Sequence, residues 1–254
     1  MADHSSRGSQ PAVLVTGAAS GIGRATAEMF LDRGAQVVAV DCQWDGLARE
    51  ALSRALVLQA DVAVEDDCIA TFSKVNEAIG PIDTLVNCAG ITRRSSIIDT
   101  NAQEWDRVIN VNLRSVYLMS RQALKMMLPR KRGNIVNVAS GWGLAGGVRA
   151  AAYCASKGGV VLLTKAMALD HGPDGIRINC VCPGDTDTPM LRREAHEMGV
   201  SVDSLLAAAR SRPLGRAGKP QEIAEAIAFL AGPGAVYITG SAMVIDGGSL
   251  AGSA

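Results

Sequence analysis

The chain has 254 residues, with 25 basic and 25 acidic side chains and a formal net charge of zero. A balanced surface of this kind is poorly suited to holding a polyanion, which argues against nucleic-acid binding. Apolar residues make up 48% and charged residues 20%, a balance that excludes a disordered chain and, at this length, provides the core of one domain.

Residues 1–10, MADHSSRGSQ, lack the apolar segment of a signal peptide and read as a disordered tail, with one domain over 11–254. No uninterrupted apolar run approaches the ~18 residues of a membrane span. Ala12–Val15 is the first strand candidate and leads into a glycine cluster. Apolar residues at helical spacing then run from Arg24 to Arg33 and stop at Gly34. Gln36–Val40, a helical stretch near 45–54 and Ala55–Leu58 come next, and a helix over 65–79 ends at Gly80-Pro81. Asp83–Asn87 precedes a long helix over 101–128. Asn134–Val138, a helix over 150–171, Arg177–Val181, a helix near 220–231 and Ala242–Ile245 complete the series.

Seven strand candidates alternate with helices, and the strands are continuous Val, Ile and Leu runs without polar alternation. Strands buried on both faces look like this. With right-handed crossovers they assemble into a doubly wound, seven-stranded parallel α/β sheet with helices on both faces. Six cysteines (42, 68, 88, 154, 180, 182) lie among apolar residues, and histidines 4, 171 and 196 have no ligand spacing. Reduced cysteines in a cytoplasmic protein, with no metal site, follow from that pattern.

Between the first strand and the first helix stands Thr16-Gly17-Ala18-Ala19-Ser20-Gly21-Ile22-Gly23. Glycines here permit a tight turn and close backbone approach, and the helix start offers free N–H groups to a pyrophosphate. The spacing, G-x-x-x-G-x-G, departs from the common G-x-G-x-x-G. Asp41 closes the second strand, where a carboxylate accepts hydrogen bonds from ribose hydroxyls and repels a 2′-phosphate. Ser20 supplies no cation for such a phosphate, and Arg24 is expected to point to solvent, so the preferred cofactor is NAD rather than NADP.

Tyr153 and Lys157 are four apart on an expected helix and therefore share a face. A free phenol titrates near 10, and a cation close by is expected to lower that by about 1–3. With Ser140, TGAASGIG, Asn87-Cys88-Ala89-Gly90, Asn112 and Pro183-Gly184, the pair resembles the classical short-chain dehydrogenase/reductase family over roughly residues 12–248. The resemblance implies a Rossmann-type fold in which Tyr153 is the general acid/base and Ser140 holds the reacting oxygen. Lys157 would also hold the nicotinamide ribose, and Asn112 would steady a water beside it. Cofactor contacts carried over are Gly17, Ser20, Gly21, Ile22, Gly23, Asp41, Asp61, Val62, Asn87, Ala89, Gly90, Pro183, Gly184, Thr186 and Thr188, besides Tyr153 and Lys157. Cys88 stands where the family has Ala, and Thr186 where an apolar residue is usual.

Residues 189–216 resemble the family's substrate lid, with Arg192, Arg193, Glu194 and His196 expected on a solvated helix face. Trp142 and Leu144 line the pocket or cover its rim. Arg130-Lys131-Arg132 is expected to close a helix end, with carrier-protein docking as the competing reading. The leading function is an NAD(H)-dependent oxidoreductase that interconverts a secondary alcohol and a ketone, a small-molecule substrate. The alternatives are a 3-oxoacyl-[acyl-carrier-protein] reductase and a non-catalytic NAD(H)-binding regulator. Family precedent implies a homotetramer built on the helices at 101–128 and 150–171 and on residues 237–254.

Overall fold

In a computed structural model that describes residues 10–252, seven parallel strands lie in the order β3-β2-β1-β4-β5-β6-β7. They are β1 (Ala12–Thr16), β2 (Gln36–Asp41), β3 (Leu56–Gln59), β4 (Thr84–Asn87), β5 (Gly133–Val138), β6 (Ile176–Pro183) and β7 (Ala242–Ile245). All seven expected strands are present, and each is within two residues of its expected limits. Of the expected tail, only Gln10 is described, and it is exposed; residues 1–9 lie outside the described residues.

The helices are α1 (Gly21–Asp32), α2 (Gly46–Ala51), α3 (Glu65–Ala78), α4 (Ala102–Ile109), α5 (Ser115–Met127), α6 (Ala151–His171), α7 (Pro189–Met198), α8 (Val202–Ala208) and α9 (Pro220–Ala231). Alternate strand residues bury against opposite layers. Leu14, Val38, Leu85, Ile135 and Ile178 pack on Phe72 and Val75 of α3 and on Leu118, Met119 and Met127 of α5. Val13, Val15, Val37, Val86, Val136 and Val181 pack on Phe30 and Leu31 of α1 and on Ile223 and Ile227 of α9. Both faces are covered, as continuous apolar strands require.

The order reverses between β2 and β4, on either side of β1, so the connections after β1 and β4 part and leave a crevice at their carboxyl ends. Two chain segments organise its floor. Thr16 Oγ1, at the end of β1, accepts from the N–H groups of Cys88 and Ala89 at 3.0 and 3.2 Å. Gly17 therefore runs so close to the β4 loop that a Cβ there would lie 2.8 Å from the Ala89 backbone, and its φ of +67° is also glycine territory.

The helix expected over 101–128 is not continuous. One π-helical turn, Asn110–Arg114, separates α4 from α5 and carries Asn112. The Arg130–Arg132 run does more than end a helix. Arg130 donates to the carbonyl of Ile82 and pairs with Asp83 at 3.3 Å, and Arg132 reaches the same carboxylate at 3.5 Å. Both arginines thus fasten the turn that leads into β4.

Candidate active site

Above the carboxyl ends of the strands lies a cavity of about 1510 Å³. That exceeds the ~300–1,000 Å³ of ordinary small-ligand pockets and leaves room for a dinucleotide with a substrate beside it. Every catalytic or cofactor-contact residue named from the sequence lines it except Asn87 and Asn112, whereas Leu144, Arg192 and His196 do not.

At one end are the glycine turn, Asp41, Asp61 and Val62. Gly23 has no room for a side chain, since a Cβ would stand 2.1 Å from the Gly17 carbonyl oxygen. Ser20 occupies the cap position of α1 without a side-chain capping bond, and the first turn of α1 has no acidic residue. Its N–H groups therefore face the cavity without a carboxylate of their own, which suits an anionic group. The two oxygens of Asp41 accept from Ala19 N–H at 3.0 Å and from Gln43 N–H at 3.2 Å, so the acid also shapes the glycine turn. With about four lone-pair sites, a carboxylate still has acceptors for ribose hydroxyls. Arg24 is turned away to Glu28 at 2.8 Å on the same helix. These residues fit a nicotinamide dinucleotide.

At the other end Ser140, Tyr153 and Lys157 come together. Ser140 follows β5 and accepts from Trp142 N–H at 3.1 Å. Tyr153 and Lys157 share one face of α6, and Lys157 Nζ lies 5.9 Å from the phenol ring centroid. That ammonium donates to the Val138 carbonyl at 2.8 Å and is buried. The expected lowering of the Tyr153 pKa is not found in the protein alone. Burial pushes the phenol up to about 12, with the Ser140 hydroxyl acting the other way. Burial also lowers the Lys157 ammonium to about 8, so this cation is itself held at a desolvation cost.

The two exceptions have internal partners. Asn87 Nδ2 donates to Asn137 Oδ1 at 2.9 Å and to Ser120 Oγ at 3.2 Å, so its side chain joins strands β4 and β5 to α5 beneath the cavity floor. The residues that follow it, Cys88, Ala89 and Gly90, reach the cavity. Asn112 is fully buried; it accepts from Ile91 N–H and donates to the Ile91 carbonyl and to Ser156 Oγ. It lies next to Lys157, since a Cβ on Gly90 would meet Asn112 Oδ1 and Lys157 Nζ at 3.4 Å each.

Pro183 ends β6 and Gly184 follows it. The Thr186 hydroxyl donates to the Gly184 carbonyl, and Thr188 caps α7 while its methyl rests against Gly21. The segment expected as a lid contains α7 and α8. Arg192 pairs with Asp187 on the outer side, as a solvated face would, but Arg193 and Glu194 line the cavity. Trp142 lines it too, edge-on to Tyr153 with centroids 6.1 Å apart. Sequence reading missed Thr92, Asp246 and Leu250, which also line it. Thr92 belongs to the run Gly90-Ile91-Thr92-Arg93, which suggests the thioester-reductase alternative without marking a site residue. Asp246 and Leu250 carry no motif, and Leu250 reaches the site only because the chain turns back after β7.

Comparison with known proteins shows the family to which the chain belongs. Residues 17–249 match a family model described as enoyl-(acyl carrier protein) reductase. The chain is 40% identical over 243 residues to meso-2,3-butanediol dehydrogenase of Serratia marcescens, covering 94% of each chain. It belongs to the short-chain dehydrogenase/reductase family. A 3-oxoacyl-[acyl-carrier-protein] reductase of Vibrio harveyi is 39% identical over 92% of this chain and 94% of its own. Among solved structures, the ligand-free aldohexose dehydrogenase of Thermoplasma acidophilum superposes with a TM-score of 0.89 at 36% identity, over 96% of this chain and 95% of that one. As a short-chain dehydrogenase/reductase, the chain is an oxidoreductase that works with a nicotinamide cofactor.

Proposed function

We propose that this short-chain dehydrogenase/reductase interconverts a secondary alcohol and a ketone with NAD(H), using Tyr153 as general acid/base. The observation that carries the reading is the convergence of Ser140, Tyr153 and Lys157 on the cavity that also holds the glycine turn and Asp41. A bound nicotinamide dinucleotide supplies the hydride donor or acceptor. Gly17, Gly21, Ile22, Gly23, Ala89 and Gly90 would hold its phosphates and ribose through backbone, with Asp41 at the adenosine ribose and Asp61 and Val62 near adenine. Gly184, Thr186 and Thr188 would hold the nicotinamide end.

In the oxidative direction Tyr153 takes the proton of the substrate hydroxyl, and in the reductive direction it returns a proton to the carbonyl oxygen. Ser140 donates to that oxygen as charge develops on it. Lys157 stabilises the phenolate by its charge, against the burial that raises the phenol's pKa. Asp41 favours NAD because its negative charge opposes a 2′-phosphate.

The Vibrio relative supports a second reading, reduction of a 3-oxoacyl thioester. Asp41 weighs against the NADPH preference expected of it, and Arg130 and Arg132 are already engaged with Asp83. The six unpaired cysteines suit a reducing cytoplasm. Among the described residues no helix is long and apolar enough to cross a membrane. A homotetramer is the expected assembly, covering exposed Tyr117 of α5 and Leu162 and Leu169 of α6 on one side and Tyr237 and Val244 near β7 on another.

The deciding experiment assays secondary alcohols, polyols and β-keto thioesters with both cofactors, beside Tyr153→Phe. NAD(H)-linked turnover of an alcohol or ketone is expected. The variant should lose about 10²–10⁴-fold in kcat while still binding NADH. Full activity in Tyr153→Phe refutes the mechanism.

A further inference from the structure

The lid helix α7 brings one carboxylate to the cavity wall on the Tyr153 side. Glu194 lines the cavity, and its side chain is only 15% exposed. Its one ionic partner among the described residues is Arg94, whose Nη1 lies 3.2 Å from Oε1. Arg94 does not line the cavity; its guanidinium lies over the Trp142 ring, 4.7 Å from the centroid. The carboxylate thus faces the cavity while its counter-charge stands behind the wall. No hydrogen-bond donor among the described residues is directed at Glu194 with bonding geometry. A half-buried carboxylate with open lone pairs is costly unless something donates to it. A second polar group, on the loop that carries Arg94, is also unmatched: Thr92 lines the cavity, and its hydroxyl oxygen is buried without a hydrogen-bond partner.

We infer that Glu194 and Thr92 form a polar subsite for a second hydroxyl of the substrate, so that the preferred substrates are neutral diols or hydroxyketones rather than simple alcohols or hydroxy acids. This rests on the alcohol–ketone reading above and names the substrate class within it. A hydroxyl donates to the carboxylate and can pair with the threonine at once. An anionic substrate is repelled by the Glu194 carboxylate in the wall, whereas its counter-ion Arg94 does not line the cavity. Removing the carboxylate leaves Arg94 uncompensated and reverses that preference.

The test uses NAD-linked initial rates for three probes of similar size: butan-2-ol, the stereoisomers of butane-2,3-diol, and 2-hydroxybutanoate. In the wild type, kcat/KM for at least one diol should exceed that for butan-2-ol about tenfold, with 2-hydroxybutanoate the poorest. Glu194→Ala and Thr92→Val should each lower the diol-to-butanol ratio, the former about tenfold, or about 1.4 kcal/mol. Glu194→Gln keeps the shape and an acceptor oxygen, so its diol ratio should fall less. Its 2-hydroxybutanoate-to-butanol ratio should rise, which loss of folding cannot produce. Ratios unmoved in all three variants, or a wild type that prefers butan-2-ol, overturn the subsite while the alcohol–ketone reading stands. A wild type that turns over none of the probes, nor any other alcohol or ketone, overturns both.

Discussion

Lys157 Nζ donates to the carbonyl of Val138 at 2.8 Å, so the residue one turn beyond Tyr153 is anchored to the last residue of β5. This bond ties the face of α6 that carries the phenol to the end of β5. The anchor is a buried cation, and burial lowers its pKa from 10.5 to about 8. The unfolded chain binds this proton more tightly than the folded one, so the lysine contributes stability above the unfolded value that is lost as pH falls through about 8. Tyr153 has the opposite sign. Its pKa is raised from 10 to about 12, so its contribution is whole below pH 10 and is lost as pH rises through 12.

The first prediction follows for the cofactor-free protein. Lys157→Met removes the lysine contribution, so the stability of the wild type relative to this variant should rise between pH 8 and pH 10, by an amount on the order of 1–3 kcal/mol. Urea unfolding of both proteins across that range measures it. A constant difference would mean that the ammonium is not desolvated as the burial of Lys157 requires. The variant should also lose most of its turnover, because Tyr153 then lacks the cation 5.9 Å from its ring centroid.

Asp41 has two duties, and substitutions separate them. Its carboxylate accepts from Ala19 N–H and Gln43 N–H, and it lines the end of the cavity assigned to the adenosine ribose. Asp41→Asn keeps an acceptor oxygen for the glycine turn and removes the charge. The ratio of kcat/KM with NAD to that with NADP should fall about tenfold or more, mostly through better use of NADP. Asp41→Ala should lower the ratio as well and also weaken NAD binding, because the Ala19 amide loses its acceptor. An unchanged ratio in both variants would remove Asp41 as the basis of cofactor choice.

The strands and the glycine turn were legible because each is a local pattern: continuous β-branched runs, a helix stop at Gly34, a glycine cluster between strand and helix. Tyr153 and Lys157 were legible because helical spacing alone puts them on one face. What was hidden depends on contacts between distant segments. Arg94 meets Glu194 across a hundred positions of chain, and no periodicity in either segment announces the pair. The Tyr153 acidity was misjudged for a related reason: spacing gives proximity to Lys157 but not burial, and burial has the larger effect. Asn87 sits in a recognisable motif, yet its side chain is spent on Asn137 and Ser120, a choice made by β5 and α5.

Asn112 poses the sharpest question, since the resemblance puts it near the proton path while its side chain is committed elsewhere. Its three hydrogen bonds hold both backbone groups of Ile91 and the Ser156 hydroxyl, and the loop that starts at Ile91 carries Thr92 and Arg94. On this geometry it is a positioning residue that fixes the substrate-side loop against α6. Asn112→Leu fills the same space but leaves the Ile91 amide and carbonyl unpaired, at about 1–3 kcal/mol for each buried group. For a chain of this size that lowers Tm by about 5 °C or more. Turnover should fall with it, whereas the Kd for NADH should move less than about threefold, because Asn112 lies outside the cavity wall. Thermal unfolding and a fluorescence titration with NADH separate the effects. A variant with unchanged Tm and lost turnover would return Asn112 to the proton path, and one with NADH affinity lost in proportion to kcat would place it against the cofactor.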